Sequence, residues 1–178
     1  DLSEVNNVLV VFGDTPLLTK ETLKKLHKSN EVNDLSVLGF TTDKPGRYGR
    51  LVIKNNCLQK IVEFFDANKE EEKINLCNGG VMIVKARSLN ENLSKLTNKN
   101  IKSEFILSDL VEIVNNSGGK SACVDCEHDE TIGVDSKKGL SKAEGIYQNR
   151  LRDSFMDNGT TMLDPGTVFL SWDTKIGK

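Results

Sequence analysis

The chain lacks features that would each assign it to a broad class. Its 178 residues hold 24 Lys and Arg against 26 Asp and Glu, so it has no positive excess of the kind that nucleic-acid-binding domains carry. No apolar run approaches the roughly 18 residues of a membrane-spanning helix, and no signal-peptide pattern is present. We therefore expect a cytoplasmic protein of one compact domain or slightly more, with no nucleic-acid and no membrane partner.

A second pair of closely spaced cysteines is also missing. Cys123 and Cys126 have the C-x-x-C spacing of zinc and redox sites, and His128 follows them. The other two cysteines, Cys57 and Cys77, each stand alone in apolar segments. Because a structural zinc site needs four ligands, usually as two spaced pairs, we do not expect zinc or redox chemistry. Both histidines of the chain are expected to be solvated.

The first apolar run, residues 8–16 (VLVVFGDTP), is the most informative feature that is present. Four apolar residues and Phe12 predict a buried strand with parallel neighbours, which the chain leaves at Gly13 and Asp14. A carboxylate at this end of a strand lies where open α/β sheets bind ligands, and its oxygens suit Mg²⁺ held with substrate phosphates. A turn aspartate is an equally good interpretation of Asp14 alone. No glycine-rich phosphate loop precedes the strand, so we expect a chain truncated at its start.

Alternating helices and strands follow, as in a doubly wound α/β sheet with an inserted hairpin. Helices are predicted over 19–28 with Thr19 as N-cap, near 88–96, and after a cap at Ser108. Strands are predicted over 34–42, 50–54, 58–65, 81–84, 121–124 and 131–134, the second and third being joined by a tight turn at Asn55 and Asn56.

The pattern changes near residue 138. Ser141 and Glu144 have the spacing of a capping box, and an apolar stripe predicts one helix that stops at Asn158 and Gly159. The remaining residues, 160–178, have no helical period. Their short apolar pieces at turn spacing are typical of a β-solenoid, so we expect a chain truncated at this end as well.

Five segments in order carry a family resemblance: VLVVFGDTPLL, RYGRLV, IVEFFDA, NLCNGGVMIV and GVDSKKGLSKAE. Together they closely resemble the bacterial bifunctional N-acetylglucosamine-1-phosphate uridylyltransferase/glucosamine-1-phosphate N-acetyltransferase family. The resemblance implies that 1–137 is the C-terminal portion of a Rossmann-like nucleotidyltransferase sheet that is truncated at its N-terminus. It implies a linker helix over 138–158 and the first turn of a left-handed parallel β-helix over 159–178.

The resemblance also implies a set of site residues. Asp14 and Asp135 are the expected catalytic residues and ligands of Mg²⁺, and both also touch the substrate. Substrate-binding residues are expected at Phe12, Gly13, Gly49, Glu63 and Asn78 as well. The chain departs from the family at three of these segments, because it has Phe12 for tyrosine, Asp135 for asparagine, and Gly79 where threonine is usual. We expect the loop at Gly79 to be looser for that reason.

The implied reaction is attack by N-acetylglucosamine-1-phosphate on the α-phosphorus of UTP, which releases pyrophosphate and leaves UDP-N-acetylglucosamine for cell-wall and lipopolysaccharide precursors. The implied parent also acetylates glucosamine-1-phosphate with acetyl-CoA and is a homotrimer built on its β-helix. Because the basic side of the site and most of the β-helix are missing, we expect low activity and a weakened trimer. We also expect exposed apolar side chains in the tail, at Phe169, Leu170, Trp172 and Ile176. Another sugar-phosphate nucleotidyltransferase, or a non-catalytic interaction module, are the alternatives.

Overall fold

The computed structural model describes residues 4–177 and contains a six-stranded mixed sheet. Five strands lie in the order β4-β3-β5-β2-β6, and β1 pairs with β5. The strands are β1 (Asn7–Val10), β2 (Leu35–Thr41), β3 (Arg50–Lys54), β4 (Cys57–Val62), β5 (Leu76–Lys85) and β6 (Ser121–Asp125). The sheet class therefore agrees with the α/β prediction, although the strand directions differ from a parallel doubly wound sheet.

Strand β5 is the reason for the difference. It runs antiparallel to β1, β2 and β3, and only β2 and β6 pair in parallel within the described chain. Strands β1, β2 and β6 consequently end at the edge where β5 begins. The residues that follow β1 and β6 are thus brought to the first half of β5.

The expectation of a first strand buried on both faces is wrong. Val8 and Val10 pack on the core, but Leu9 is 44% exposed and Val11 is 46% exposed. The strand pairs with β5 along one edge, antiparallel and with Leu9 opposite Ile83. Its apolar character therefore serves one covered face instead of two.

Helices cover the two faces of the sheet. They are α1 (Lys20–Val32), α2 (Ala86–Asn92), α3 (Leu110–Asn116) and α4 (Lys137–Asp157). On one face Val37, Met82 and Val84 pack with residues of α3. On the other face Leu38 and Phe40 pack with residues of α1. Alternation along β2 and β5 thus divides the core between the two helical layers.

Local signals at turns and caps have mixed outcomes. The hairpin at Asn55 and Asn56 is confirmed, with φ of 51° and 60°, and asparagine tolerates these left-handed values better than most residues. Thr19 caps α1 as predicted, accepting from the backbone N–H of Thr22 at 3.2 Å. Ser108 does not cap α3, because it lies inside a 3₁₀ turn (Leu107–Asp109) that precedes the helix.

Two further predictions after residue 130 are wrong. Residues 132–135 form a loop, not a strand, because the backbone N–H of Val134 bonds the carbonyl of Asp14 instead of a strand neighbour. The helix predicted from 138 is present as α4, but its N-cap is Ser136, whose hydroxyl accepts from the N–H of Gly139 at 3.0 Å. Ser141 and Glu144 lie inside that helix, so they form no capping box.

The tail after α4 holds no strand over 160–177, so the strand pieces expected there are absent and the β-helix start stays a prediction. Leu170 is buried, contrary to expectation, because its backbone exchanges two hydrogen bonds with the Gln148 side chain of α4. Phe169, Trp172 and Ile176 are exposed as predicted. Within 4–177, none of the helices has the length and apolar character to cross a membrane.

Candidate functional site

The predicted site residues gather where β5 begins and β1 ends. Phe12, Gly13 and Asp14 follow β1, and Asp135 lies between β6 and α4; we call these four residues the strand-end side. Gly49 precedes β3, Glu63 follows β4 and Asn78 lies in β5; we call these three residues the inner side.

The inner side is joined by backbone and side-chain contacts. The N–H of Asn78 donates to the carbonyl of Gly49 at 2.8 Å. A Cβ on Gly49 would lie 3.4 Å from both carboxylate oxygens of Glu63, so the absent side chain lets the backbone approach that carboxylate closely. The side-chain oxygen of Asn78 accepts from the N–H of Gly80 at 3.0 Å, which leaves its amide nitrogen to donate to a ligand.

Gly79 and Gly80 connect the two sides. A side chain on Gly80, which has a φ of +75°, would overlap the ring of Phe12. A Cβ on Gly79 would lie 2.9 Å from the Cγ2 of Thr131 and 3.1 Å from the carbonyl oxygen of Leu38. The looser loop expected at Gly79 is therefore wrong, because this residue is buried in β5 and closely packed.

The strand-end side is held by fewer contacts. The carbonyl of Asp14 accepts from the N–H of Val134 at 2.8 Å, and a Cβ on Gly133 would lie 3.3 Å from the Oδ2 of Asp14. Asp135 follows Val134 directly. The loop after β1, which holds Asp14, is therefore bonded to the loop before α4, which holds Asp135. Asp14 and Asp135 are both exposed residues, and Phe12 is 57% exposed.

The donor chemistry of the strand-end side fits Mg²⁺ better than zinc. Asp14 and Asp135 offer carboxylate oxygens, whereas zinc sites are built mostly from Cys and His. No group of three or more His, Cys, Asp or Glu that could hold a metal occurs within 4–177. Two carboxylates suffice for Mg²⁺, which keeps several waters and takes the rest of its ligands from substrate phosphates.

A buried glutamate that the sequence did not reveal anchors this region. Glu130 is 5% exposed, and its carboxylate accepts from the N–H of Thr19 at 2.9 Å and from the hydroxyl of Thr22 at 2.8 Å. A negative charge at the N-terminus of α1 is favourable for the helix dipole. The contact fixes the segment that leads to Gly133. Because Glu130 lies more than 100 residues from Thr19 and Thr22 in the chain, no local sequence pattern signals this contact.

A buried arginine anchors the inner side in a similar way. Arg50, 3% exposed, donates to the carbonyl of Tyr48 and to that of Gly46 at 3.0 Å. These bonds hold the turn that precedes Gly49 against Arg50, the first residue of β3. Arg50 belongs to the RYGR segment, but the sequence does not distinguish this inward role from a solvated one.

One histidine differs from its prediction. His128 is half-buried, with its ring stacked on Phe40 at 4.5 Å and its Nε2 atom 3.5 Å from the hydroxyl of Tyr48. Burial, and secondarily the Cys77 thiol, raise the pKa of Tyr48. His27, by contrast, is exposed on α1 as expected. The cluster of Phe40, Tyr48 and His128 therefore packs the loop before Gly49 against the loop after β6.

Comparison with known proteins gives sequence relatives over nearly the whole chain, although no family model matches. The chain is 41% identical over 175 residues to the bifunctional protein GlmU of Paramagnetospirillum magneticum, covering 97% of this chain and 39% of that protein. It is 45% identical over 172 residues to the bifunctional protein GlmU of Parvibaculum lavamentivorans, covering 96% of this chain and 38% of that protein. The chain thus spans less than half the length of these curated relatives.

A solved structure supports the fold. CMP:2-keto-3-deoxy-manno-octonic acid synthetase, complexed with CTP, superposes with a TM-score of 0.56. The match covers 84% of this chain and 65% of that chain at 14% sequence identity. At this identity the likeness concerns the fold alone, which is a mixed α/β sheet.

Proposed function

Since the chain belongs to the GlmU family over the segment that it matches, we propose that it carries the sugar-binding and metal-binding part of a uridylyltransferase site. The reaction is the formation of UDP-N-acetylglucosamine and pyrophosphate from UTP and N-acetylglucosamine-1-phosphate. The observation that carries the proposal is that the seven predicted site residues, from five segments of the chain, lie at one edge of the sheet. There Phe12 packs on Gly80, the N–H of Gly80 bonds the side chain of Asn78, and the N–H of Asn78 bonds the carbonyl of Gly49.

The inner side has the chemistry to select a sugar. Glu63 accepts hydrogen bonds from hydroxyl groups, and the amide nitrogen of Asn78 donates to a hydroxyl or carbonyl oxygen. Each leaves a polar group unpaired if the ligand lacks the matching hydroxyl, at a cost of about 1–3 kcal/mol. The absent side chain of Gly80 lets the backbone lie against the Phe12 ring, and that of Gly49 would let the backbone approach the ligand beside Glu63. These residues would hold the hexose in one orientation.

The strand-end side would hold the metal and the phosphates. Asp14 and Asp135 would be ligands of Mg²⁺, which when bound neutralises phosphate charge. With aspartate at 135 in place of the family's asparagine, the two carboxylates carry two charges that repel triphosphate when metal is scarce. Catalysis in this class is positioning and charge stabilisation, so these residues orient the reacting phosphates and form no covalent intermediate.

The rest of the family description belongs to the same proposal. The relatives' full length is more than twice that of this chain, so acetyl transfer to glucosamine-1-phosphate from acetyl-CoA, and a homotrimer in the cytoplasm, are proposed for the whole protein. The division at 137 and 158 is supported by the bounds of α4, Lys137–Asp157.

Isothermal titration calorimetry tests the proposal on this chain. We expect UDP-N-acetylglucosamine to bind more tightly with Mg²⁺ than with chelator, and more tightly than UDP-glucose, UDP-mannose or UDP. Asn78→Ala should weaken that binding, whereas the matched variant Asn75→Ala, at an exposed asparagine three residues earlier, should not.

The outcomes separate the alternatives. Preference for UDP-glucose or UDP-mannose would favour another sugar-phosphate nucleotidyltransferase. The absence of metal-dependent binding of any sugar nucleotide would favour an interaction module and contradict the proposal.

A further inference from the structure

We propose that Ser108 is a positioning residue that holds the carboxylate of Glu63 in the orientation that the sugar requires, an inference that rests on the proposed function. The two residues lie 45 positions apart in the chain, and the Ser108 hydroxyl donates to the Oε1 of Glu63 at 2.8 Å. Ser108 is 6% exposed, so water competes little for this bond. The bond is part of the folded site, not a surface contact.

Ser108 is the one side chain within 4–177 that donates a hydrogen bond to Glu63, and no lysine or arginine there forms an ion pair with it. A hydroxyl donor occupies one carboxylate oxygen without neutralising the charge. The Oε2 atom and the remaining lone pairs stay available to accept from a sugar hydroxyl. A lysine or arginine in the place of Ser108 would form an ion pair with Glu63 and would compete with the sugar hydroxyl for that carboxylate.

The hydroxyl is placed by a well-anchored helix. Helix α3 follows Ser108 directly, and Leu110 and Val111 at its start are fully buried. At its other end the amide of Asn115 donates to the carbonyls of Leu58 and Gln59, at 2.8 and 2.9 Å. The helix is therefore tied to both ends of β4, and the tie at the Glu63 end is made by Ser108.

The surroundings of Glu63 make such a restraint useful. Asp66, Asp109 and Glu112 also lie in this region, and burial, followed by the charges of Glu63, Glu112 and Asp66, raises the pKa of Asp109. Repulsion by like charges favours rotamers that turn a carboxylate outward to water. The Ser108 bond opposes that rotation and keeps Glu63 beside Gly49, where a Cβ would lie 3.4 Å from its oxygens.

Three variants of this chain separate positioning from stability. Ser108→Ala should weaken binding of UDP-N-acetylglucosamine about tenfold, the effect of losing a hydrogen bond to a charged group. Ser108→Thr keeps the hydroxyl and should restore affinity. Asn115→Ala removes the other tie between the same helix and the same strand, so it should lower the midpoint of thermal unfolding with little change in affinity.

A double-mutant cycle supplies the decisive readout. If Ser108 acts through Glu63, Ser108→Ala should have no further effect on affinity in a Glu63→Gln background, whereas a purely structural role gives additive losses. Unchanged affinity in Ser108→Ala, additive losses in the cycle, or an equal loss in Asn115→Ala would each overturn the inference. Failure of the wild-type chain to bind the sugar nucleotide would instead overturn the proposed function, and the inference with it.

Discussion

The two sides of the candidate site are built in different ways. The inner side consists of a strand residue and two residues that flank strands, and they are buried or half-buried and bonded to one another or to core elements. The strand-end side consists of four exposed loop residues whose position depends on the Asp14–Val134 bond and on packing at Gly80 and Gly133. The residues proposed to select a ligand are thus part of the sheet, whereas those proposed to meet metal and phosphate lie at its margin.

The largest expected effect distinguishes the two sides by their dependence on metal. Glu63→Gln should weaken UDP-N-acetylglucosamine binding about a hundredfold both with and without Mg²⁺, because a charged acceptor to a sugar hydroxyl is lost. Asp14→Asn should remove the gain in affinity that Mg²⁺ gives and leave metal-free binding nearly unchanged. Calorimetry at fixed ionic strength measures both. Equal dependence on Mg²⁺ in the two variants would contradict the division into sides.

A matched pair of glycine substitutions compares how tightly the strand-end side and the adjoining part of β5 are packed. Gly79→Ala should lower the free energy of unfolding by about 1–3 kcal/mol, because the new methyl meets Thr131 and the backbone of Leu38. Gly13→Ala should change it by less than about 0.5 kcal/mol, because nothing lies within 4 Å of the added carbon. Urea unfolding curves of both variants give the comparison. A comparable loss for Gly13→Ala would show that the strand-end side is as constrained as the part of β5 that connects it to the inner side.

Strand β6 and the segment that leads from it to the strand-end side hold two thiols, Cys123 and Cys126, that make stability depend on pH. Burial, and secondarily Asp125, raise the pKa of Cys123 to about 11, and burial, with Glu130 as the next cause, raises that of Cys126 to about 12. The unfolded thiols ionise near pH 9, so this stability is fully present below pH 9 and is lost as pH rises toward 11–12.

We expect the free energy of unfolding to fall by about 1 kcal/mol per thiol between pH 8 and pH 10 from this cause. The pH dependence of urea unfolding, compared between wild type and the double variant Cys123→Ala and Cys126→Ala, isolates the thiols from other groups that titrate there. Exposed Cys57 serves as the control, because Cys57→Ala should leave the pH profile unchanged. An identical profile for the wild type and the double variant would be contrary to the expectation.

Local sequence signals predicted turns and helix caps correctly where only one nearby residue or pair had the suitable type. The Asn55 and Asn56 turn and the Thr19 cap depend on contacts within three residues, and both are present. Two serines compete to start α4, and Ser136 precedes the helix while Ser141 lies inside it. Ser108 has the residue type of a cap, but its hydroxyl bonds Glu63 instead. A cap signal gives the residue type, while tertiary contacts decide which candidate is used.

The candidate site could be predicted only in part, because tertiary contacts also decide how its residues are held. Family motifs identified residues that lie at one edge of the sheet, but they did not reveal the contacts that hold those residues there. Glu130 and Ser108 lie outside the five segments, and Arg50 lies inside one of them without any sign of its inward role. Their partners are backbone groups and side chains brought together by the fold, across more than 100 residues in the case of Glu130. The prediction that the first strand has parallel neighbours is wrong for a similar reason. An apolar run does not reveal the direction of the strand beside it, and β1 pairs with β5 antiparallel.

The smallest expected effect concerns Phe12, where the family resemblance implies a tyrosine. Phe12 is 57% exposed and its ring packs on Gly80, so a hydroxyl added to the ring keeps the contact with that glycine. Phe12→Tyr should therefore change the free energy of unfolding by less than about 0.5 kcal/mol. It should strengthen UDP-N-acetylglucosamine binding by about threefold to tenfold, the range for one added hydrogen bond. Phe12→Leu, which loses the ring but stays apolar, is the control and should weaken binding. A gain of stability in Phe12→Tyr without a gain of affinity would place the new hydroxyl against the protein and remove Phe12 from the ligand-facing part of the strand-end side.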